Sequence, residues 1–337
     1  MSEAAKISII IPVKPGGEVT ALERLRNTDY PDNLLEIFVA EGRCPSLQRN
    51  MAAGAAAGDI LYFLDDDSRV ATGFLHRAAR HFDDPAVAVV GGPSLTPETD
   101  SLLQHAFSMT FTSLLGGGGM RNRYRQTGVL RTTTDRELIL CNLGFRRELF
   151  LRMGGFDERL YPNEENELMD RIRREGGLLI HDPDLAVRRS QRQTIGAFCR
   201  QLHGYGRGRG EQTLISGVIK PVTFVPSLFL LYLLLVPVVL NPLFCLPLAC
   251  YLLMLVLATI SQAAGAGRPL AALLLPVMMP LFHVCYGSGM IRGLLRPRRV
   301  RRDADSCNVS IRRVKEFGGP ILPGSDCGSG LTLEQAI

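Results

Sequence analysis

Three consecutive carboxylates, Asp65, Asp66 and Asp67, follow directly after the apolar run Ile60–Leu64. Placing three like charges side by side inside a protein costs much free energy, so a strand that ends in them must open onto solvent, a cation or both. Asp65 and Asp67 are two residues apart, a spacing that points both side chains the same way on an extended chain. Their hard oxygen atoms suit Mg²⁺ or Mn²⁺, which takes its remaining ligands from water and substrate phosphates. The triplet therefore favours a metal-bridged diphosphate site, and the alternative is an acidic strand end without a ligand.

Alternating strands and helices must position this triplet. The apolar runs predict strands at Ile7–Val13, 35–40, Ile60–Leu64 and 86–90. Helical spacing predicts helices over 19–27, 45–57 and 72–82. The alternation is typical of a parallel, doubly wound sheet, in which ligands gather at the carboxyl ends of the strands. Lys14, Glu41 and the three aspartates all fall at such ends, which strengthens the diphosphate interpretation.

A second acidic group lies just before a predicted helix over 168–174. Glu164, Glu165 and Glu167 form this group. The helix macrodipole favours carboxylates at a helix N-terminus, and this alone explains them structurally. The functional interpretation is that one of them acts as a general base, which must lie within reach of the proton that it removes.

A nearly uncharged stretch occupies residues 221–291, where Arg268 is the interior charge. It contains apolar runs at 224–240, 243–260 and 270–290, each close to the ~20 residues that cross a bilayer. Hydrophobic residues make up 46% of the 337-residue chain, a high share for a purely soluble protein. The sequence therefore predicts a membrane region, and the alternative is a pair of buried core helices.

Basic residues concentrate on both sides of this stretch, within a net charge of +5. They are Arg188, Arg189, Arg192, Arg200, Arg207, Arg209 and Lys220 before it, and Arg292, Arg296, Arg298, Arg299, Arg301 and Arg302 after it. Such residues mark the cytoplasmic side of a membrane and attract anionic lipids.

Basic residues at both ends require an even number of crossings. We expect two crossings and a third run, with Pro276 and Pro280, that is re-entrant or interfacial. Three full crossings are the alternative.

The N-terminal residues lack the pattern of a signal peptide, so the N-terminal domain is expected in the cytoplasm, at a bacterial-type cytoplasmic membrane. Eight cysteines occur without a CxxC pair, which predicts free thiols in a reducing compartment. The basic residues adjoin the apolar runs without a recognition motif, which argues against nucleic acid as a partner.

Five segments, taken in order, resemble a family-2 glycosyltransferase of the GT-A fold. They are Ile9-Ile10-Ile11-Pro12-Val13, Tyr30-Pro31, Gln48-Arg49-Asn50, Phe63-Leu64-Asp65-Asp66-Asp67, and Gly154-Gly155-Phe156-Asp157 followed by Glu164-Glu165-Asn166-Glu167-Leu168. The resemblance spans roughly residues 7–212. Gly91-Gly92-Pro93 and Tyr205-Gly206-Arg207-Gly208-Arg209 are similar to the membrane-attached succinoglycan-type subgroup.

The resemblance implies a role for each matching residue. It implies that Asp67 and Asp65 bind Mg²⁺ or Mn²⁺ and that Glu165 is the catalytic base. It implies nucleotide contacts from Pro12, Val13, Lys14, Glu41, Arg49, Asp65 and Asp66. Candidates for binding the acceptor or its diphosphate are Glu164, Asn142, Arg192, Arg207 and Arg209. The arginine–glycine alternation at 206–210 is interpreted as backbone that can approach phosphates, in a helix whose Phe198 and Leu202 face lipid.

The expected architecture is an α/β GT-A domain, Rossmann-like with a mostly parallel sheet and flanking helices, followed by C-terminal transmembrane or interfacial helices. The expected regions are the catalytic domain 1–187, a basic amphipathic juxtamembrane region 188–220, a membrane region 221–295 and a polar tail 296–337. The expected function is inverting transfer of a sugar from a nucleotide-diphosphate sugar, with a UDP-sugar favoured, to a polyprenyl diphosphate-linked glycan in cell-surface polysaccharide synthesis. The alternatives are a polyprenyl-phosphate sugar synthase and a non-catalytic membrane scaffold.

Overall fold

Strand β1 (Ile7–Val13) lies inside the main sheet, and its apolar side chains are buried on both faces. Ile9 and Ile11 pack into one hydrophobic layer, whereas Ile10 packs into the layer on the opposite face. This division follows from the alternation of side chains along a strand. The largely apolar sequence of β1, interrupted by Ser8, therefore predicts its position correctly, since a strand covered by helices on both faces has no solvent-facing side.

The computed structural model describes residues 4–239, 241–265, 267–297 and 307–322. These residues divide into two compact units. The first, the sheet unit, consists of residues 4–95, 125–189 and 307–322. The second, the helical unit, consists of the described residues between 96 and 124 and between 190 and 297. Arg298, Arg299, Arg301 and Arg302, predicted to follow the membrane region, lie outside the described residues.

Eight strands of the sheet unit form one mixed sheet among the described residues. Besides β1, the strands in chain order are β2 (Leu35–Glu41), β3 (Ile60–Leu64), β4 (Val87–Gly91), β5 (Ser94–Leu95), β6 (Arg131–Thr132), β7 (Asn142–Arg146), β8 (Leu178–His181), β9 (Val187–Arg188) and β10 (Ser310–Lys315). The order across the sheet is β10-β2-β1-β3-β7-β4-β8-β6, and β5 and β9 pair separately in parallel. Strands β2, β1 and β3 are mutually parallel, as are β4 and β8. Strand β7 runs antiparallel between β3 and β4, and β6 and β10 are antiparallel edge strands. The predicted GT-A-type α/β architecture is confirmed, but the sheet is mixed and not mostly parallel as predicted, because β6, β7 and β10 run antiparallel to their neighbours.

Short helices connect and flank these strands. They are α1 (Ala21–Leu25), α2 (Pro45–Ala55), α3 (Phe74–His81), α5 (Arg147–Arg152) and α6 (Glu164–Arg174), with a 3₁₀ turn at Asp32–Leu34. Helix α6 begins four residues before its predicted start. The glutamates of the acidic group therefore lie inside its first turns, where the macrodipole favours them.

The helical unit contains α4 (Leu102–Thr112), α7 (Ile195–Ser216), α8 (Val225–Val239), α9 (Pro242–Gly265), α10 (Pro269–Ala272) and α11 (Leu275–Leu295). The expectation that Phe198 and Leu202 of α7 face lipid is wrong, because both are fully buried within this unit. The ring of Phe198 stacks on that of Phe107 with centroids 4.0 Å apart. Helix α7 is therefore held by protein contacts along this side.

The glycines of α7 serve helix packing against α11. A Cβ atom on Gly206 would lie 2.0 Å from the carbonyl oxygen of Tyr286, and one on Gly289 would lie 2.0 Å from that of His203. Gly210 and Gly293 make similarly close backbone contacts across the same pair of helices. Small residues four apart on each helix allow this approach. This packing replaces the predicted role of the 206–210 glycines in approaching phosphates.

Two helical segments, Pro221–Val239 and Pro242–Gly265, are long and apolar enough to cross a membrane, judged by length and composition. Most of their residues are exposed on the protein, and side chains such as Leu243 and Val238 are open to the surroundings. Helix α11, the third predicted apolar run, has buried residues along its length, including Met279 and Met290. The first two runs thus differ from the third in having mostly uncovered apolar surface.

Strand β10 brings the chain after α11 back to the sheet unit, where it pairs with β2. A disulfide between Cys44, at the start of α2, and Cys307 fixes this return. The prediction of free thiols is therefore wrong for these two residues. Sequence spacing could not pair them, because 263 positions separate them.

We predict that alkylation of the denatured, unreduced protein leaves Cys44 and Cys307 unmodified and that both react after reduction, as measured by peptide mass spectrometry. Replacing Cys307 with serine should expose Cys44 to alkylation and lower the unfolding temperature, since loss of a native disulfide typically costs about 2–5 kcal/mol. Alkylation of both cysteines without a reductant would contradict the pairing.

Candidate functional site

The aspartate triplet leaves the carboxyl end of β3 in a tight turn. The backbone N–H of Asp65 donates to Ser68 Oγ at 3.1 Å, and the N–H of Ser68 donates to the carbonyl oxygen of Asp65 at 3.1 Å. The carbonyl oxygen of Asp66 accepts from the N–H of Ala21 at 2.9 Å. These bonds fix the backbone of the triplet, so that its side chains are presented by a rigid turn at the edge where the parallel strands end.

Arg189 bridges the two outer aspartates. Its Nε donates to Asp67 Oδ1 at 2.8 Å, and its Nη2 lies 3.1 Å from Asp65 Oδ2. Burial raises the pKa of the middle carboxyl, Asp66, and repulsion from Asp67 and Asp65 adds to the increase, whereas Arg189 opposes it. The turn thus carries concentrated negative charge that the guanidinium group of Arg189 partly neutralises.

Backbone pairing sets the position of Arg189. The preceding residue, Arg188, exchanges two backbone hydrogen bonds of 2.9 Å with Arg69, which follows the aspartate turn. The N–H of Arg189 itself donates to the carbonyl oxygen of Leu95 at 2.9 Å. The segment after β9 is therefore joined to the turn on one side and to β5 on the other.

Arg49 joins the aspartate turn to the glutamates of α6. Its buried guanidinium donates from Nη2 to Asp65 Oδ1 at 3.3 Å and from Nη1 to Glu164 Oε1 at 3.1 Å. The two acidic groups that the sequence predicts separately are thus one guanidinium apart. Arg49 was predicted to contact the nucleotide, and the structure gives it this second, bridging position.

The neighbours of Arg49 on α2 hold the other segments of the site. Gln48 Nε2 donates to the carbonyl oxygens of Val13 at 2.9 Å and Ala40 at 2.5 Å, at the ends of β1 and β2. Asn50 donates from Nδ2 to the carbonyl oxygen of Phe156 at 2.8 Å and accepts from the N–H of the same residue at 2.9 Å. Three successive side chains therefore align the strand ends, the acidic groups and the turn that precedes α6.

Glu164 and Glu165 have different surroundings within the first turn of α6. Burial raises the pKa of Glu164 to about 8, and repulsion from Glu165 adds to this, whereas Arg49 opposes it. The raised pKa favours the protonated form of Glu164. Glu165 Oε1 accepts from Asn166 Nδ2 at 3.0 Å, and Asn166 also donates to Asn163 Oδ1 at 2.7 Å. Asn163 adopts a left-handed conformation (φ 87°) that begins the helix.

The residues predicted to bind the nucleotide lie at the ends of β1 and β2. Lys14 is exposed, and Pro12 is half-buried. Glu41 Oε1 accepts from the N–H of Gly16 at 3.1 Å, which joins the loop after β1 to the end of β2. Gly16 has a φ of 70°, so this turn suits glycine. Pro12, Lys14, Glu41 and the aspartates thus share the carboxyl edge of the parallel strands.

The candidates for acceptor binding do not form one cluster in the sheet unit. Asn142 is fully buried, accepts from the Tyr62 hydroxyl at 2.7 Å and donates to the carbonyl oxygen of Leu185 at 2.6 Å, so it supports the sheet. In the helical unit, Arg207 Nε donates to Glu211 at 2.9 Å, and Arg209 is buried and donates to Gln212 at 2.9 Å.

Arg192 differs from these arginines. It also belongs to the helical unit, but it is exposed and makes a longer contact of 3.3 Å with Gln201. Arg192 is therefore the arginine candidate whose side chain remains open to a ligand.

Asp65 and Asp67 fit a divalent cation of the kind that takes one or two carboxylates from the protein and its other ligands from phosphate and water. The described residues contain no cluster of three or more histidine, cysteine, aspartate or glutamate side chains suited to a metal.

Sequence reasoning missed Arg189 as a site residue and assigned it to the basic region before the membrane. The available signal was the doublet Arg188-Arg189 directly after the short apolar segment Leu185-Ala186-Val187. Side chains alternate in direction along an extended segment, so only one of these two arginines can face the same side as the aspartates.

The pKa of Glu164 predicts a pH-dependent stability. With a folded pKa of about 8 and an ordinary value of 4.5, Glu164 holds more protons in the folded state between these pH values. The free energy of unfolding therefore falls as pH rises through this window. We subtract the unfolding temperature of the wild type from that of Glu164→Gln at each pH. We expect this difference to increase from pH 5 to pH 8 and then to level off. The matched control is the exposed Glu175→Gln, and a constant difference for Glu164→Gln would contradict the shift.

Comparison of the sequence with known proteins finds similar glycosyltransferases. The chain is 26% identical over 162 residues to the pre-mycofactocin glycosyltransferase of two strains of Mycobacterium tuberculosis. The match covers 48% of this chain, which spans about a third (33%) of the length of those relatives.

The fold is also similar to that of the mannosyltransferase PcManGT from Pyrobaculum calidifontis, a structure solved with GDP-Man and Mn²⁺. That similarity has a TM-score of 0.52 at 17% identity and covers 87% of this chain and 88% of the other. The sequence model of glycosyl transferase family group 2 matches residues 60–283, which is more than half of the chain and includes both acidic groups and α7 to α9. The chain therefore belongs to glycosyl transferase family group 2.

Proposed function

We propose that the protein transfers a sugar from a nucleotide-diphosphate sugar to a lipid-linked acceptor, with inversion at the anomeric carbon. One observation carries this proposal: Arg49 contacts both Asp65, at 3.3 Å, and Glu164, at 3.1 Å. The group suited to a diphosphate and the group suited to a proton acceptor therefore belong to one site. The mannosyltransferase PcManGT, which has a similar fold, binds GDP-Man, and this supports a donor of the same class.

In the proposed reaction, Glu165 removes the proton of an acceptor hydroxyl as its oxygen attacks the anomeric carbon. The bond from that carbon to the donor's diphosphate breaks, and the nucleoside diphosphate leaves. Of the two adjacent glutamates, Glu165 is assigned this role, because Glu164 is bound to Arg49 at 3.1 Å and its raised pKa favours its protonated form. Glu164 and Arg49 position the start of α6 relative to Asp65.

A divalent cation, Mg²⁺ or Mn²⁺, is proposed at Asp67 and Asp65. When bound, such an ion neutralises negative charge on the leaving diphosphate. Mn²⁺ accompanies GDP-Man in PcManGT, which supports this choice. Pro12, Lys14 and Glu41 are proposed to contact the nucleoside, since they lie at the carboxyl ends of the neighbouring strands, where ligands of such sheets bind.

A membrane location is proposed from the two exposed apolar helical segments, and the path of the chain bears on the number of crossings. Strands β1 to β9 precede the apolar helices in sequence, whereas β10 follows them, yet β10 pairs with β2. A chain that leaves one folded unit and returns to it must cross a bilayer an even number of times. We propose that Pro221–Val239 and Pro242–Gly265 are the two crossings, with Lys220 and Arg292 on the cytoplasmic side.

The proposed membrane region supports an acceptor that is linked to a lipid. The substrate class that we propose is a polyprenyl diphosphate-linked glycan of cell-surface polysaccharide synthesis. Among the predicted acceptor residues, the exposed Arg192 is the candidate for the lipid diphosphate, because an arginine fork matches phosphate geometry.

Donor binding tests the diphosphate site. We expect the purified protein to bind UDP- or GDP-sugars in the presence of Mn²⁺, as measured by titration calorimetry. Asp67→Asn should weaken that binding by about tenfold or more, because it removes an anionic ligand. The exposed Asp29→Asn is the control for the same change in charge. If neither class of nucleotide sugar binds to the wild type, the proposed function is wrong.

A pair of glutamate variants tests the base. Glu165→Gln should reduce turnover with a hydroxyl acceptor by about 10²–10⁴-fold, the usual contribution of a general base. Glu164→Gln should have a much smaller effect, because glutamine resembles the protonated glutamate already present. A small effect of Glu165→Gln would favour the alternative of a polyprenyl-phosphate sugar synthase, whose acceptor is already an anionic phosphate oxygen. Nucleotide binding without turnover on any acceptor would favour the scaffold.

A further inference from the structure

Guanidinium groups engage most of the oxygen atoms that a cation would use. Asp65 contacts Arg49 through Oδ1 at 3.3 Å and Arg189 through Oδ2 at 3.1 Å. Asp67 contacts Arg189 through Oδ1 at 2.8 Å. A cation that binds both outer carboxylates must therefore take the place of Arg189 on at least one of them.

The contacts of Arg189 are accessible to exchange. The side chains of Arg189 and Asp65 are each 21% exposed, and that of Asp67 is 43% exposed, so water and ions reach the pair. Arg49 is only 6% exposed and is also tied to Glu164, so it is the less exchangeable of the two arginines. The backbone beside Arg189 is paired with Arg69 and Leu95, so the exchange needs only a side-chain rotation.

We propose that Arg189 and the divalent cation compete for Asp65 and Asp67, and that the displaced Arg189 then binds the donor's diphosphate. This inference rests on the proposed function, since it assigns a further donor-binding residue to the same site. Displacement leaves a guanidinium group beside the aspartate turn, where the phosphates of the donor are expected. Arginine binds phosphate oxygens through parallel N–H groups, so the donor supplies the partner that Arg189 loses.

The competition couples the two ligands. A cation that arrives alone must break contacts between Arg189 and the two aspartates without supplying an anion in exchange. A cation that arrives with a nucleotide diphosphate gives Arg189 a new anionic partner. By linkage, the nucleotide and the cation must then strengthen the binding of each other. Arg189 therefore reduces binding of the cation in the absence of donor and promotes binding of the donor.

The neighbouring Arg188 provides a matched control. It carries the same charge and belongs to the same segment, but its side chain is exposed. Successive side chains on an extended segment point to opposite sides, so Arg188 does not share the direction of Arg189 towards the aspartates.

The test compares Arg189→Ala, Arg189→Lys and Arg188→Ala with the wild type in two measurements. Binding of Mn²⁺ alone is followed by the electron paramagnetic resonance signal of free Mn²⁺. Binding of UDP and of GDP is followed by calorimetry at saturating Mn²⁺. We expect Arg189→Ala to bind Mn²⁺ alone about tenfold more tightly and the nucleotide about tenfold more weakly, the changes expected from loss of one charge-assisted contact.

Arg189→Lys should also bind Mn²⁺ more tightly, because an ammonium group cannot bridge the carboxylates as a fork, but it should retain part of the nucleotide affinity. Arg188→Ala should match the wild type in both measurements. Equal Mn²⁺ affinity in the wild type and both Arg189 variants would overturn the competition, and unchanged nucleotide affinity would overturn the role in donor binding. Failure of the wild type to bind either nucleotide would instead overturn the proposed function and this inference with it.

Discussion

The structure of the site depends on how a dense group of carboxylates is kept next to the end of a buried strand. Asp65, Asp66 and Asp67 follow a strand that is buried along its length, and Glu164 is itself buried. Charges in such a place require partners, because burial without them costs several kcal/mol per group. The buried Arg49 meets this requirement for Asp65 and also donates to Glu164, whose raised pKa favours its protonated form. Its presence in α2 is what allows β3 and α6 to bring their acidic ends into one site.

This constraint explains why one turn of α2 contacts so many parts of the fold. Gln48, Arg49 and Asn50 point in different directions around the helix and reach the ends of β1 and β2, the acidic groups, and the turn at Phe156. The Cys44–Cys307 disulfide fixes the start of the same helix to the segment before β10. The helix that organises the site is therefore also the one to which the returning chain is joined.

The sequence predicts those parts of the fold and site that have a local signal. Strands β1 and β3 match their predicted bounds, because their apolar runs end at turn residues or at charges that cannot be buried. Strand β7 was not predicted. Its Gly144 is required by the ring of Tyr62, which would lie 2.8 Å from an added Cβ, and such a contact across the sheet leaves no local pattern. Strand β10 and the bridge from Arg189 to Asp67 were missed for the same reason, since each depends on a partner more than a hundred residues away.

The central claim is that the aspartate turn and the start of α6 form one site for a nucleotide-diphosphate sugar. The most direct measurement is an experimental structure of the protein with Mn²⁺ and a donor that binds, in which anomalous scattering locates the metal. The account predicts manganese beside Asp65 and Asp67, the diphosphate next to it, and the anomeric carbon on the side of Glu165. A nucleotide bound away from the carboxyl ends of β1, β2 and β3, or manganese remote from both aspartates, would contradict it.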